Sequence, residues 1–267
     1  MSIRKRLPIA LILLALVILL VQFFSRLPFF IALQLLILVT LVEFYNLSRK
    51  RKTNAQALAG CVLALIISGS FFFEILSLGL ALFVCLLLIG LYYVVYIDTL
   101  EKLPTFPSSL ALTFFGAIYV SFTLNHFYLL KVERGAFTIY FLLSVIFVGD
   151  TGAYTFGKLL GKRKVLPIAS PRKTWVGCLG GLLFAVLTAW AAQQILLPDL
   201  LVWKAVVCGL FMHAVAQISD PLESLFKRAA GVKDSSRLLL GHGGFLDRMD
   251  SLLLATPFFY YFISYFW

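Results

Sequence analysis

With 267 residues, 61% of them hydrophobic and only 13% charged, and a mean hydropathy of +0.99, the chain is too apolar for a soluble fold and carries several runs that reach the ~20 residues needed to cross a bilayer. The runs are continuous rather than alternating, which excludes a membrane β-barrel and predicts an all-α polytopic membrane protein. The net charge of +11 sits in short loops between apolar runs, where basic residues set topology and meet anionic headgroups, so no nucleic-acid partner is expected.

Arg4, Lys5 and Arg6 precede the first run, 7–24. It is long for a cleaved signal, and Ser25-Arg26-Leu27-Pro28 offers no small-x-small cleavage site, so a retained span starting in the cytoplasm is predicted. A second span, 29–47, is followed by the basic cluster Arg49, Lys50, Arg51 and Lys52, with Glu43 expected as its ion-pair partner. Spans three and four cover 55–75 and 77–97, and a polar linker, 98–107, leads to the fifth, 108–130. The sixth, 136–156, precedes a basic loop, GKLLGKRKVLPIASPRKTW. The seventh covers 176–197, the eighth runs from 200 to beyond Asp220, and a ninth, 251–267, closes the chain.

About nine transmembrane helices with a cytoplasmic N-terminus therefore make one integral-membrane domain, 1–267, in which 1–135 form the scaffold and 136–267 carry the motifs. Of the 23 Lys and Arg, nineteen then fall inside and four outside (Arg26, Lys131, Arg134 and Lys204), a strong positive-inside bias. Cys61, Cys85, Cys178 and Cys208 are isolated in apolar runs without metal-like spacing and read as packing residues.

An ionisable group inside a span costs ~2.5–3.5 kcal/mol at a helix centre, so each needs a partner or a function. Asp150, in VGDTGAY, has Lys158 two turns further on the same helix face, or a neighbouring basic residue, as a partner; a second carboxylate for a metal site or a substrate contact is the preferred reading. His213, Gln217, Asp220 and Ser224 follow at four, three and four residues, one polar stripe on the eighth span. His213 by itself reads as a packing histidine with one hydrogen bond. Pro221 deprives the Gln217 carbonyl of its helical donor, so that oxygen and the Asp220 carboxylate are expected to face a bound cation. Glu223 is spaced to pair with Lys227.

The stripe leads into SLFKRAAGVKDSSRLLLGHGGFLDRMD, Ser224 to Asp250, where charge is densest. Asp247 and Asp250 are three apart and share a face at a helix start, able to offer hard oxygen ligands to Mg²⁺. Gly243 and Gly244 let backbone N–H groups approach phosphate oxygens, and Lys227, Arg228, Lys233 and Arg248 supply positive charge for a polyphosphate. Taken one at a time, these features also suit a solvated loop with helix-capping carboxylates.

In order and spacing, Ser224, Lys227-Arg228, Lys233-Asp234, His242-Gly243-Gly244 and Asp247-Arg248-x-Asp250 resemble the C-terminal signature of the phosphatidate cytidylyltransferases. GDTGAYTFGKLLGK and SPRKTWVG resemble that family's two other recurring segments; the first five spans match only as apolar helices. Three positions depart from the pattern: Leu240 for Pro or Gly, Ser219 for Gly, and Val176 for an acidic residue.

The resemblance implies that CTP and phosphatidic acid give CDP-diacylglycerol and pyrophosphate with Mg²⁺, at a site facing the cytoplasm, in the inner membrane if the source is bacterial. It places Asp220, Asp247 and Asp250 on the metal, Ser224 and His242 on phosphates by hydrogen bonds, and Asp234 among the catalytic residues beside Lys227, Arg228, Lys233 and Arg248. Asp150, Lys158, Ser170, Arg172, Lys173, Thr174, Gly243 and Gly244 are the corresponding substrate-binding candidates. A monovalent cation beside Mg²⁺ and a homodimer are both compatible with it. The competing readings are a CTP-dependent lipid or polyprenol kinase, told apart by its products, and a secondary transporter, against which the gathering of polar groups at one face and end speaks.

Overall fold

The computed structural model describes residues 3–49, 55–236, 238–239 and 243–267. The chain is an all-α integral membrane protein. Among the described residues, six helices are long and apolar enough to cross a membrane: Arg26–Ser48, Leu78–Tyr96, Leu103–Arg134, Ala136–Leu160, Trp175–Leu196 and Val202–Ala229. Leu14–Phe23 and Ala57–Phe72 are shorter apolar helices. The expected ninth span lies in a helix, Leu246–Phe266, that is not among the six; Asp250, Pro257 and three tyrosines dilute its apolar run.

The chain divides into two compact units. Unit 1 comprises Met1–Tyr128 and Ala229–Arg248. It contains α1 (Ile3–Phe23), α2 (Arg26–Arg49), α3 (Ala57–Phe72), α4 (Leu78–Tyr96), α5 (Phe106–Ala117) and most of α6 (Thr123–Leu129), with a π turn, Ile118–Phe122, between the last two. These helices are apolar on every side, so amphipathicity does not decide which face is buried; small residues and a few polar pairs do. On α2, Ile37, Leu41, Phe44 and Tyr45 are buried, whereas Ile31, Leu35, Val39 and Val42 are exposed. The Tyr45 ring occupies space that only glycine leaves at Gly60 and Gly116, and its hydroxyl donates to the Thr113 carbonyl at 2.6 Å. Deeper in the unit, the Gln34 amide donates to Asn125 at 3.0 Å, and Asn125 donates to Ser68 at 2.8 Å.

Unit 2 comprises Leu129–Arg228 and Met249–Trp267. It contains α7 (Ala136–Leu160), strands β1 (Lys164–Leu166) and β2 (Ser170–Thr174), α8 (Trp175–Leu196), α9 (Val202–Ala229) and α10 (Leu246–Phe266) from Met249 onward. Glycines let α7 and α8 approach closely: a Cβ at Gly152 would fall 2.7 Å from Phe184 Cβ, and one at Gly180 2.6 Å from Phe156 Cβ. The stretch expected as a basic loop forms an antiparallel hairpin, Lys164 opposite Thr174 and Leu166 opposite Ser170. The hairpin feeds directly into α8, whose N-cap is Thr174; its Oγ1 accepts from the Gly177 N–H at 3.2 Å.

Candidate functional site

In unit 2, acidic and basic groups from four elements converge. Lys173, at the end of β2, places Nζ 2.8 Å from Asp220 Oδ2 and 3.3 Å from the Gln217 carbonyl oxygen. That carbonyl is the one Pro221, inside α9, leaves without a helical donor. In this structure the Lys173 ammonium stands at the place expected for a bound cation. Asp150 of α7 lies within electrostatic reach of Asp220 and Lys173 and accepts a hydrogen bond from the Ser251 side chain. Of the basic partners open to Asp150, Lys158 is exposed and lies 5.8 Å from the Tyr154 ring centroid, and the basic group near Asp150 is Lys173. Helical spacing offered Lys158, but the hairpin brings a lysine from outside the helix.

Asp250, on α10, lies within reach of Asp220 and Glu223 and of the Lys227 ammonium. Glu223 and Lys227 form the expected i,i+4 pair at 2.5 Å, with side chains 1% and 8% exposed. Lys227, a candidate phosphate holder, is therefore buried against a carboxylate. Ser219 explains one departure from the family pattern. It is fully buried; its hydroxyl donates to the Asp250 carbonyl and accepts from the Leu254 N–H at 3.3 Å, the two groups an ordinary helical bond would join. Ser224 approaches Asp220 Oδ1 at 3.5 Å. His213 is buried over Gly149 and Gly181, where a Cβ would strike its ring, and neither ring nitrogen has a hydrogen-bond partner among the described residues.

In unit 1, the loop before α10 is held by two carboxylates. Asp247 Oδ2 accepts from the Ser235 N–H (2.9 Å), the Ser235 hydroxyl (2.8 Å) and the Gly244 N–H (2.8 Å), the last resembling the acid of a capping box reaching back over a helix start. Glu43 Oε2 accepts from the Ser235 hydroxyl (3.1 Å) and the Leu246 N–H (2.8 Å), and Oε1 from the Ser236 hydroxyl (2.6 Å). Glu43 thus meets the motif loop; the basic cluster expected as its partner falls on 50–54 and the Arg49 side chain, which lie outside the described residues. Gly243 has φ +78, a conformation side chains disfavour, and a Cβ on Gly244 would overlap the Ser235 hydroxyl and the Glu43 carboxylate. Both glycines thus have a packing reason in addition to the phosphate role expected of them.

Lys233, Asp234 and Arg248 are exposed in unit 1, as are Arg172 and Arg228 in unit 2; Ser170 is half-buried, and Thr174 is buried as a helix cap. His242 and Leu240 lie outside the described residues. Sequence reasoning missed Glu43 and Ser251 as contacts of this machinery. Only the expense of a carboxylate in an apolar helix pointed to the first, and nothing local pointed to the second.

Among the described residues, no three His, Cys, Asp or Glu side chains are arranged to hold a metal ion. Mg²⁺ does not need such a cage, since it is commonly held by one or two carboxylates plus water and substrate phosphates. Asp150, Asp220, Glu223 and Asp250 outnumber Lys173 and Lys227 and offer hard oxygen donors, a set that fits Mg²⁺.

Residues 4–266 match the Cytidylyltransferase family. The phosphatidate cytidylyltransferase of Bacillus subtilis is 34% identical over 263 residues, 96% of each chain. That of Haemophilus influenzae is 41% identical over 133 residues, 48% of this chain and 46% of that one. A Staphylococcus epidermidis phosphatidate cytidylyltransferase is 40% identical over 139 residues, 52% of this chain and 53% of its own. In the last two the matched segment spans about half of the relative's length.

Proposed function

Because the chain belongs to the cytidylyltransferase family, we propose that it transfers the CMP part of CTP to phosphatidic acid, giving CDP-diacylglycerol and pyrophosphate. The observation that carries this reading is the end-to-end similarity to the Bacillus subtilis phosphatidate cytidylyltransferase. The gathering of Asp150, Asp220 and Asp250, with Lys173 beside the first two and Lys227 near the third, supports it chemically.

The nucleophile of that reaction is a phosphate oxygen of the lipid, already anionic, so the protein need supply neither a base nor a covalent intermediate. Its task is to bring two anions together and to stabilise charge on the α-phosphate and on the departing pyrophosphate. Asp220 and Asp250 are the proposed Mg²⁺ ligands with Asp150 beside them; Asp247, expected as a third ligand, keeps that place in the proposal while its Oδ2 serves the loop. When bound, Mg²⁺ supplies Lewis-acid stabilisation of the phosphoryl oxygens. Lys173 orients the Asp220 carboxylate, and the exposed Arg172, Arg228, Lys233 and Arg248 are proposed to meet triphosphate or lipid phosphate. Ser224 and His242 are proposed to add hydrogen bonds to the phosphates.

The same reading takes in nine spans, a cytoplasmic N-terminus and a site opening to cytosolic CTP, all of which accessibility labelling of single-cysteine variants tests. It also takes in a homodimer, tested by the mass of the detergent-solubilised protein, and a monovalent cation beside Mg²⁺, tested by exchanging K⁺ for choline in the assay. Purified protein given labelled CTP, phosphatidic acid and Mg²⁺ should yield labelled CDP-lipid and pyrophosphate. Formation of CDP and a newly phosphorylated lipid would make it a kinase instead.

A further inference from the structure

Glu43 belongs to no motif, stands on α2 192 residues before the nearest partner of its side chain, and is 2% exposed. A carboxylate placed so deep in an apolar helix is costly unless its oxygens are fully engaged. Here they are engaged by three donors, the Ser235 and Ser236 hydroxyls and the Leu246 N–H. Leu246 is the first residue of α10, so its N–H is one of those a helix start leaves without an internal acceptor, and a negative charge there also favours the helix dipole. Glu43 therefore grips the loop at two places at once, at Ser235-Ser236 within it and at Leu246 where it becomes helix. Gly244 lies between, with no room for a Cβ against that carboxylate.

We propose that Glu43 is a positioning residue for cytidylyl transfer: from α2 it fixes the loop bearing Lys233, Asp234, Gly243 and Gly244 against the first turn of α10, which bears Arg248. The proposal rests on the function given above for the part that concerns catalysis. A loop that must present phosphate-binding groups within an ångström gains nothing from being mobile, and a misplacement of that size costs about 100-fold in rate. A glutamine can keep most of this grip, because its amide oxygen can take the place of Oε2 while its NH₂ donates to Ser236, whose hydroxyl also accepts.

The test compares the wild type, Glu43→Ala and Glu43→Gln for kcat and KM in CDP-lipid synthesis, for thermal unfolding, and for hydrogen exchange at the Ser235 and Leu246 amides. Glu43→Ala should lower kcat about 100-fold per folded molecule with a much smaller change in the KM for CTP, and both amides should exchange faster. Glu43→Gln should recover all but about fivefold of the lost turnover. Turnover of Glu43→Ala close to wild type, or unchanged exchange, would overturn the proposal. So would a Glu43→Gln as slow as Glu43→Ala, since charge and not grip would then be what matters. If Glu43→Ala does not fold, Ser236→Ala, which removes one of the three donors, should still lower kcat several-fold and loosen the loop amides; no change in either would count equally against it. A wild type unable to make CDP-lipid would sink the functional reading and the catalytic part of this one, whereas the exchange comparison judges the grip alone.

Discussion

Lys173 closes over Asp220 at 2.8 Å at the one turn of α9 where proline cannot donate, and the same ammonium reaches the orphaned Gln217 carbonyl at 3.3 Å. A proline that would otherwise weaken a membrane helix is compensated from a neighbouring hairpin. Replacing Lys173 with Met leaves a half-buried carboxylate and a carbonyl without this donor. Since the two side chains retain 22% and 32% exposure, the expected loss is modest, about 1–2 kcal/mol, read from thermal unfolding in detergent. Pro221→Ala restores a backbone donor to Gln217, so the loss caused by Lys173→Met should shrink by about 0.5–1 kcal/mol in that background. Strict additivity would show that the carbonyl is irrelevant to the lysine.

Ser219 gives a prediction of the opposite kind. Its hydroxyl stands between the Asp250 carbonyl and the Leu254 N–H, and once it is removed those two groups can join each other in a normal helical bond. Ser219→Ala should therefore cost less than about 1 kcal/mol despite complete burial, because no polar group is left stranded. Ser219→Val, which adds bulk at a fully buried position between α9 and α10, should cost about 1–3 kcal/mol. Equal losses for the two would mean that the hydroxyl itself is what stabilises the contact.

The α7–α8 interface is set by the absence of side chains. A Cβ at Gly180 would lie 2.6 Å from Phe156 Cβ, so Gly180→Ala must push the helices apart or turn the ring. A destabilisation of about 1–3 kcal/mol is expected, and Phe156→Ala in the same chain should relieve part of it. If the single variant melts with the wild type, the close approach of the two helices is wrong.

These particulars mark what could be read from the sequence. The long apolar segments were legible because a span needs length and apolarity, both local properties, and the Glu223–Lys227 pair because i,i+4 spacing is local too. That the Gln217 carbonyl would lack its helical donor followed from proline chemistry, whereas Lys173 as the group that meets it did not. Lys164–Thr174 read as a loop because its strands are three and five residues long and dominated by charge and proline rather than by alternation. The contacts of Glu43 and the assignment of Lys173, not Lys158, to Asp150 depend on tertiary placement that no spacing rule contains. The close approach of α7 and α8 at Gly152 and Gly180 likewise depends on tertiary placement.

The central claim is that carboxylates from α7, α9 and α10 serve a metal-assisted transfer from CTP, and a Mg²⁺ titration of CDP-lipid synthesis by the wild type and by Asp250→Asn tests it most directly. The account predicts no product without Mg²⁺, and for the folded variant a Mg²⁺ requirement raised about 10- to 100-fold with a large fall in turnover. A variant that works at the wild-type Mg²⁺ concentration and rate, or a wild type indifferent to chelation, would contradict it.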